Sequence, residues 1–104
     1  MALRPPEVTI HGERGAEYEK LLGRRTFRVK SPLPCRADLP GRPDAEVYLL
    51  DIDALRPGEL DTLAKHVAAK FSVPYEIVLS EMRDCGVPIL AEDCSCAMDL
   101  RMFI

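Results

Sequence analysis

Residues 31–53 read SPLPCRADLPGRPDAEVYLLDID, and the two ends of this run obey different rules. In the first part Pro32, Pro34, Pro40 and Pro43 each remove a backbone donor and restrict the residue before them, which argues against a helix or an interior strand. Residues 31–45 therefore read as a proline-rich loop, long for a small domain and a candidate contact surface. In the second part EVYLLDID puts Tyr48, Leu50 and Ile52 on one face of an extended chain and Val47 and Leu49 on the other. Apolar residues on both faces predict a central strand over 46–52.

Before the loop, EVTIH (7–11) alternates Val8 and Ile10 with Glu7, Thr9 and His11, the period of a half-buried strand. Tyr18 and Leu22, with Leu21 beside them, predict a short helix over 16–22 that Gly23 ends. RRTFRVK then alternates Phe27 and Val29 against Thr26, Arg28 and Lys30, a second one-faced strand over 25–30. After the central strand, Leu60, Leu63, Ala64, Val67, Ala68 and Phe71 fall at helical spacing, with Pro57 and Glu59 suited to the first turn, so a helix is predicted over 58–71. A second helix over 75–85 starts after Pro74, carries Val78, Met82 and Cys85 on one stripe, and stops at Gly86. VPIL (87–90) reads as extended and AED (91–93) as a turn. From Cys94 every second residue is apolar (Cys96, Met98, Leu100, Met102, Ile104), one buried face of a strand over 94–103. The expected fold is a single α+β domain spanning 1–104: about four strands in one small mixed or antiparallel sheet, with the C-terminal helix pair packed on one face.

The chain has 104 residues, of which 47% are apolar and 30% charged, enough to bury one core without metal or disulfide staples. No run of about 18 apolar residues suits a membrane span, and MALRPPEVTI lacks the apolar region of a signal peptide, so a cytoplasmic location with reduced thiols is expected. Charge is unevenly placed: residues 1–42 hold nine Arg/Lys against five Asp/Glu, residues 43–104 five against twelve. This asymmetry suggests self-complementary packing or two distinct partner surfaces, and no cofactor.

VAAKFSVPYEIVLSEMRDCGV (67–87) resembles a helix-turn-helix, and the extended segments after it resemble the hairpin of a winged version, which would imply DNA binding by residues 60–103. The charge opposes that implication. Outward positions on the second helix are Tyr75, Glu76, Ser80, Glu81, Arg83 and Asp84, with one cation among three carboxylates, whereas base and phosphate recognition calls for Arg, Lys, Asn or Gln. The basic residues of the front half, Arg24, Arg25, Arg28, Lys30, Arg36 and Arg42, lack the interleaved aromatics that grip single strands. Nucleic acid is thus a disfavoured partner.

Catalysis is not expected either. PDAEVYLLDID (43–53) partly resembles a nuclease pattern of Pro-Asp followed by a strand ending acid-x-Lys, but Asp53 or Ala54 stands where the lysine belongs. Asp53 reads instead as a helix cap. The two histidines, His11 and an exposed His66, have no evident reason to meet Cys35, and no phosphate loop, serine elbow or zincin motif occurs. Zinc could be held only if Cys35, Cys85, Cys94 and Cys96 converged from loop, helix end and strand, without the paired C-x₂-C knuckles such sites use. The function that fits best is a non-catalytic protein-interaction or regulatory module. It would bind another protein through the acidic helix pair (58–85), with Tyr75, Glu76, Ser80, Glu81 and Arg83 as contact residues, or through the proline-rich loop (31–45).

Overall fold

The computed structural model describes residues 6–96. In chain order these form β1 (Glu7–Ile10), α1 (Gly12–Leu22), β2 (Thr26–Arg28), β3 (Cys35–Leu39), β4 (Arg42–Leu50), α2 (Glu59–Phe71), α3 (Tyr75–Cys85), β5 (Val87–Leu90) and β6 (Cys94–Cys96). Short 3-10 turns at Ile52–Ala54 and Ala91–Asp93 complete the set. The helix pair has almost the bounds that periodicity predicts, and the acidic AED segment turns as expected. Positions 97–103 of the predicted final strand lie outside the described residues.

The single four-stranded sheet is replaced by two three-stranded antiparallel sheets, ordered β2-β1-β6 and β3-β4-β5. The largest correction lies in residues 31–45, where a hairpin takes the place of a loop. Leu39 pairs with Arg42 across a two-residue turn in which Pro40 supplies the fixed φ of the first corner and Gly41 the positive φ (76°) of the second. Asp38 then faces both Pro43 and Asp44, because the register shifts between Ala37 and Leu39. This bulge, with Asp44 at φ 57°, re-aims the strand at the point where Pro43 cannot donate to the ladder. Pro32 and Pro34 precede β3. Each of the four prolines thus sits before a strand, in a turn or at a bulge, where strand pairing tolerates it.

β4 is central as expected, yet its second neighbour is VPIL: Val47, Tyr48, Leu49 and Leu50 pair with Leu90, Ile89, Pro88 and Val87. Pro88 is accommodated because β5 is an outer strand. β6 instead pairs with β1, Ile10 opposite Cys94 and Val8 opposite Cys96. The two sheets touch through one bridge, Val29 to Leu50, flanked by Lys30 N–H to the Leu49 carbonyl and Asp51 N–H to the Arg28 carbonyl, both 2.9 Å.

α1 begins four residues earlier than predicted, at Gly12. The sequence signal there is poor, since Gly12 and Gly15 look like helix breakers. Gly15 is required by space: a Cβ on it would stand 2.3 Å from the Ile10 carbonyl oxygen, so the helix can fold back tightly over β1.

One apolar cluster joins all layers. Val8, Ile10, Phe27, Val29, Leu50 and Ile89 from the two sheets meet Tyr18 of α1, Leu63 and Ala64 of α2, and Val78 and Met82 of α3. The helix pair therefore contributes to a core shared by both sheets, and does not cover one face of a single sheet. Tyr18 packs edge-on to Phe27 at 5.5 Å between ring centroids, and each fully buried side chain of this size contributes about 1.5–3 kcal/mol.

Candidate functional site

α2 and α3 bury the stripes their periodicity predicts, Leu63 and Ala64 on one helix and Val78 and Met82 on the other. α2 ends where Ser72 takes a left-handed conformation (φ 55°) and the Val73 N–H returns to the Ala68 carbonyl at 3.1 Å. Pro74 then sets the start of α3, its carbonyl accepting from Ile77 N–H (3.1 Å) and Val78 N–H (3.2 Å). This tight elbow leaves three apolar side chains facing water: Phe71 at 58%, Val73 at 37% and Ile77 at 54% relative exposure. Lys70 lies over the Phe71 ring at 5.8 Å while also reaching Glu17 at 3.2 Å.

Two members of the predicted buried stripes turn out exposed. Phe71 sits in the last turn of α2, beyond its buried residues Glu59, Leu63 and Ala64, and Cys85 is exposed at the end of α3. Ile77 was a readable signal. Ile77, Val78 and Leu79 are consecutive, and a helix buried on one side cannot hide three apolar neighbours in a row.

The predicted contact residues divide. Glu76, Ser80, Glu81 and Arg83 are exposed, and among the described residues none makes a side-chain hydrogen bond or ion pair. Tyr75 turns inward: it is partly buried and donates its hydroxyl to Asp61 on α2, which also holds Lys65 at 3.1 Å. The hydrogen bond to Asp61 raises the Tyr75 pKa, and the Tyr75 and Lys65 hydrogen bonds lower that of Asp61. Tyr75 thus ties the two helices together. On the outer face of α3, Ile77, Ser80, Glu81 and Asp84 follow one helical stripe, so an apolar anchor at the elbow continues into an acidic strip.

The wing implied by the helix-turn-helix resemblance does not form as a hairpin, because β5 and β6 belong to different sheets. Asp53 does not cap α2, whose N-cap is Gly58 with no side-chain cap; Asp51 caps the short 3-10 turn instead, its Oδ1 accepting the Asp53 N–H at 3.1 Å while Oδ2 takes the Arg28 guanidinium at 2.7–2.9 Å. His66 is partly buried and meets Glu17 of α1, contrary to the exposed position expected. His11 Nε2 and Ser95 Oγ stand 2.9 Å apart on the outer face of their sheet, beside the Thr9–Thr26 hydroxyl pair at 3.0 Å. Cys35 lies on β3, Cys85 at the end of α3 and Cys94 at the start of β6, and among the described residues no three His, Cys, Asp or Glu side chains gather as metal ligands. Burial and the nearby Asp93 push the Cys94 thiol up to about 11. A polar cleft of about 360 Å³ beside the hairpin is spanned by the Arg42–Glu92 ion pair.

No family model, no curated protein and no solved structure matches this chain. Among the described residues no helix is long and apolar enough to cross a membrane.

Proposed function

We propose that the protein is a non-catalytic interaction module that binds a polypeptide through the α2–α3 elbow. The observation that carries this reading is the clustering of Phe71, Val73 and Ile77, exposed within seven residues of chain, whereas the other large exposed apolar side chain among the described residues, Leu33, stands alone in sequence. An apolar anchor beside Glu76, Glu81 and Asp84 suits a partner segment with an apolar side chain flanked by Lys or Arg. Free thiols at Cys35, Cys85 and Cys94 suit the reducing, cytoplasmic setting expected from the sequence.

The test compares proteins captured by immobilised wild-type chain, by Ile77→Asp, and by Glu76→Lys/Glu81→Lys, with Glu46→Lys as a charge control outside the elbow. A partner retained by wild type and control, and lost from both elbow variants, supports the reading. Identical capture by all four proteins overturns it.

A further inference from the structure

Among the described residues β3 is an outer strand, paired along one edge only, and Cys35, Arg36 and Asp38 on it are exposed. Its free edge presents unpaired backbone donors and acceptors, a template for another strand. Charged residues on such an edge ordinarily deter pairing, but here the two charges have opposite sign and lie two residues apart, on the same face. We propose that β3 pairs antiparallel with β3 of a second copy about a two-fold axis through Ala37, joining two three-stranded sheets into one of six strands.

The charge pattern selects that register. With Ala37 opposite Ala37, Arg36 of each copy faces Asp38 of the other, and Cys35 faces Leu39. Moving the axis to residue 36 sets Arg36 against Arg36, and moving it to residue 38 sets Asp38 against Asp38. Parallel in-register pairing repeats both clashes, and a one-residue slip turns the two sheets' faces to opposite sides. Pro34 and Pro40 bracket the strand and limit pairing to residues 35–39. Arg36 is available for the contact: it lies across from Glu46 on β4, yet among the described residues it makes no ion pair or side-chain hydrogen bond. Among the described residues Asp38 accepts only the long 3.5 Å contact from the Asp44 N–H. The contact is isologous, so it closes as a dimer, and its paired residues 35–39 include none of the elbow's.

Sedimentation equilibrium of the full chain over a range of concentrations tests the proposal. Wild type should dimerise, and Arg36→Asp or Asp38→Arg alone should raise the dissociation constant about tenfold or more, because each puts like charges opposite twice. The double variant Arg36→Asp/Asp38→Arg should recover the dimer, and so should an equimolar mixture of the two single variants, whose strands are complementary only to each other. Wild type that stays monomeric up to about 1 mM overturns the proposal, and so do single variants that dimerise like wild type or a mixture that fails to recover. Dimerisation abolished by Ile77→Asp and untouched by the charge swaps would assign self-association to the elbow instead, so the two readings fail separately.

Discussion

Arg24 Nη2 stands 2.6 Å from Glu59 Oε1, and the same oxygen accepts the Arg56 N–H at 2.6 Å. This carboxylate, almost fully buried, ties the link between α1 and β2 to the first turn of α2, while the Arg24 guanidinium lies 4.6 Å over the Phe27 ring. Burial raises the Glu59 pKa, but the hydrogen bonds from Arg24 and the Arg56 backbone outweigh it, so the group stays ionised below the usual carboxylate range. Glu59→Ala should cost about 2 kcal/mol, less than a fully buried pair because Arg24 regains some water. The urea midpoint should fall accordingly, with Glu59→Gln intermediate because the amide still accepts from Arg56.

Acid should unfold the protein partly through the same kind of contact. Glu17 on α1 accepts from His66 and from Lys70 on α2, and the His66 hydrogen bond, with help from Lys70, lowers its pKa from 4.5 against the opposing effect of burial. A carboxylate whose folded pKa is depressed contributes its full stability above the unfolded value and loses it as pH falls through the folded one. The loss from Glu17 therefore sets in below pH 4.5 and continues downward. Glu17→Gln should lower stability by about 0.5–1 kcal/mol at neutral pH and narrow its gap from wild type as pH drops below 4. A constant gap across that window would contradict the coupling.

Gly15 offers a test of the α1 packing in which propensity and space oppose each other. Alanine is favoured over glycine inside a helix by about 1 kcal/mol, so on propensity Gly15→Ala should stabilise. Its Cβ would meet the Ile10 carbonyl oxygen at 2.3 Å and the carbonyl carbon at 2.9 Å, backbone atoms that cannot turn aside. The expected result is a net loss of about 1–3 kcal/mol, measured by thermal denaturation. Ala16→Gly, at an exposed position of the same helix, should cost about 1 kcal/mol.

Local patterns in the chain carried those elements whose partners lie one turn or one residue away. The alternation around Val8 and Ile10, the stripe from Leu60 to Ala68 and the bounds 75–85 all match the structure, because period and caps are local properties. The hairpin at 35–50 was hidden because a proline's cost depends on which edge its missing N–H faces, a fact set by strand order. Likewise Gly15 reads as a breaker until the Ile10 carbonyl is placed against it. In the candidate site, exposure of Glu76, Ser80, Glu81 and Arg83 followed from helical spacing. The inward turn of Tyr75 depended on Asp61, which only the folded elbow brings near. Phe71 obeyed the buried periodicity and is exposed because the core ends before α2 does.

The cysteines give a prediction that separates packing from metal binding. Cys35 and Cys85 are exposed, whereas Cys94 is partly buried opposite Ile10 with its pKa raised to about 11 by burial and by Asp93. At pH 8 only about one Cys94 thiol in a thousand is ionised, and the thiolate is the reactive form. Brief treatment of the folded protein with iodoacetamide, followed by peptide mass spectrometry, should label Cys35 and Cys85 well ahead of Cys94. A metal site built from these cysteines would protect all of them, since a coordinated thiolate is shielded from the alkylating agent, and among the described residues no three such ligands gather. Equimolar zinc should therefore leave the Cys35 and Cys85 labelling rates unchanged. Protection of Cys35, Cys85 and Cys94 together would require the hairpin, the end of α3 and the start of β6 to converge, and would overturn the packing reading.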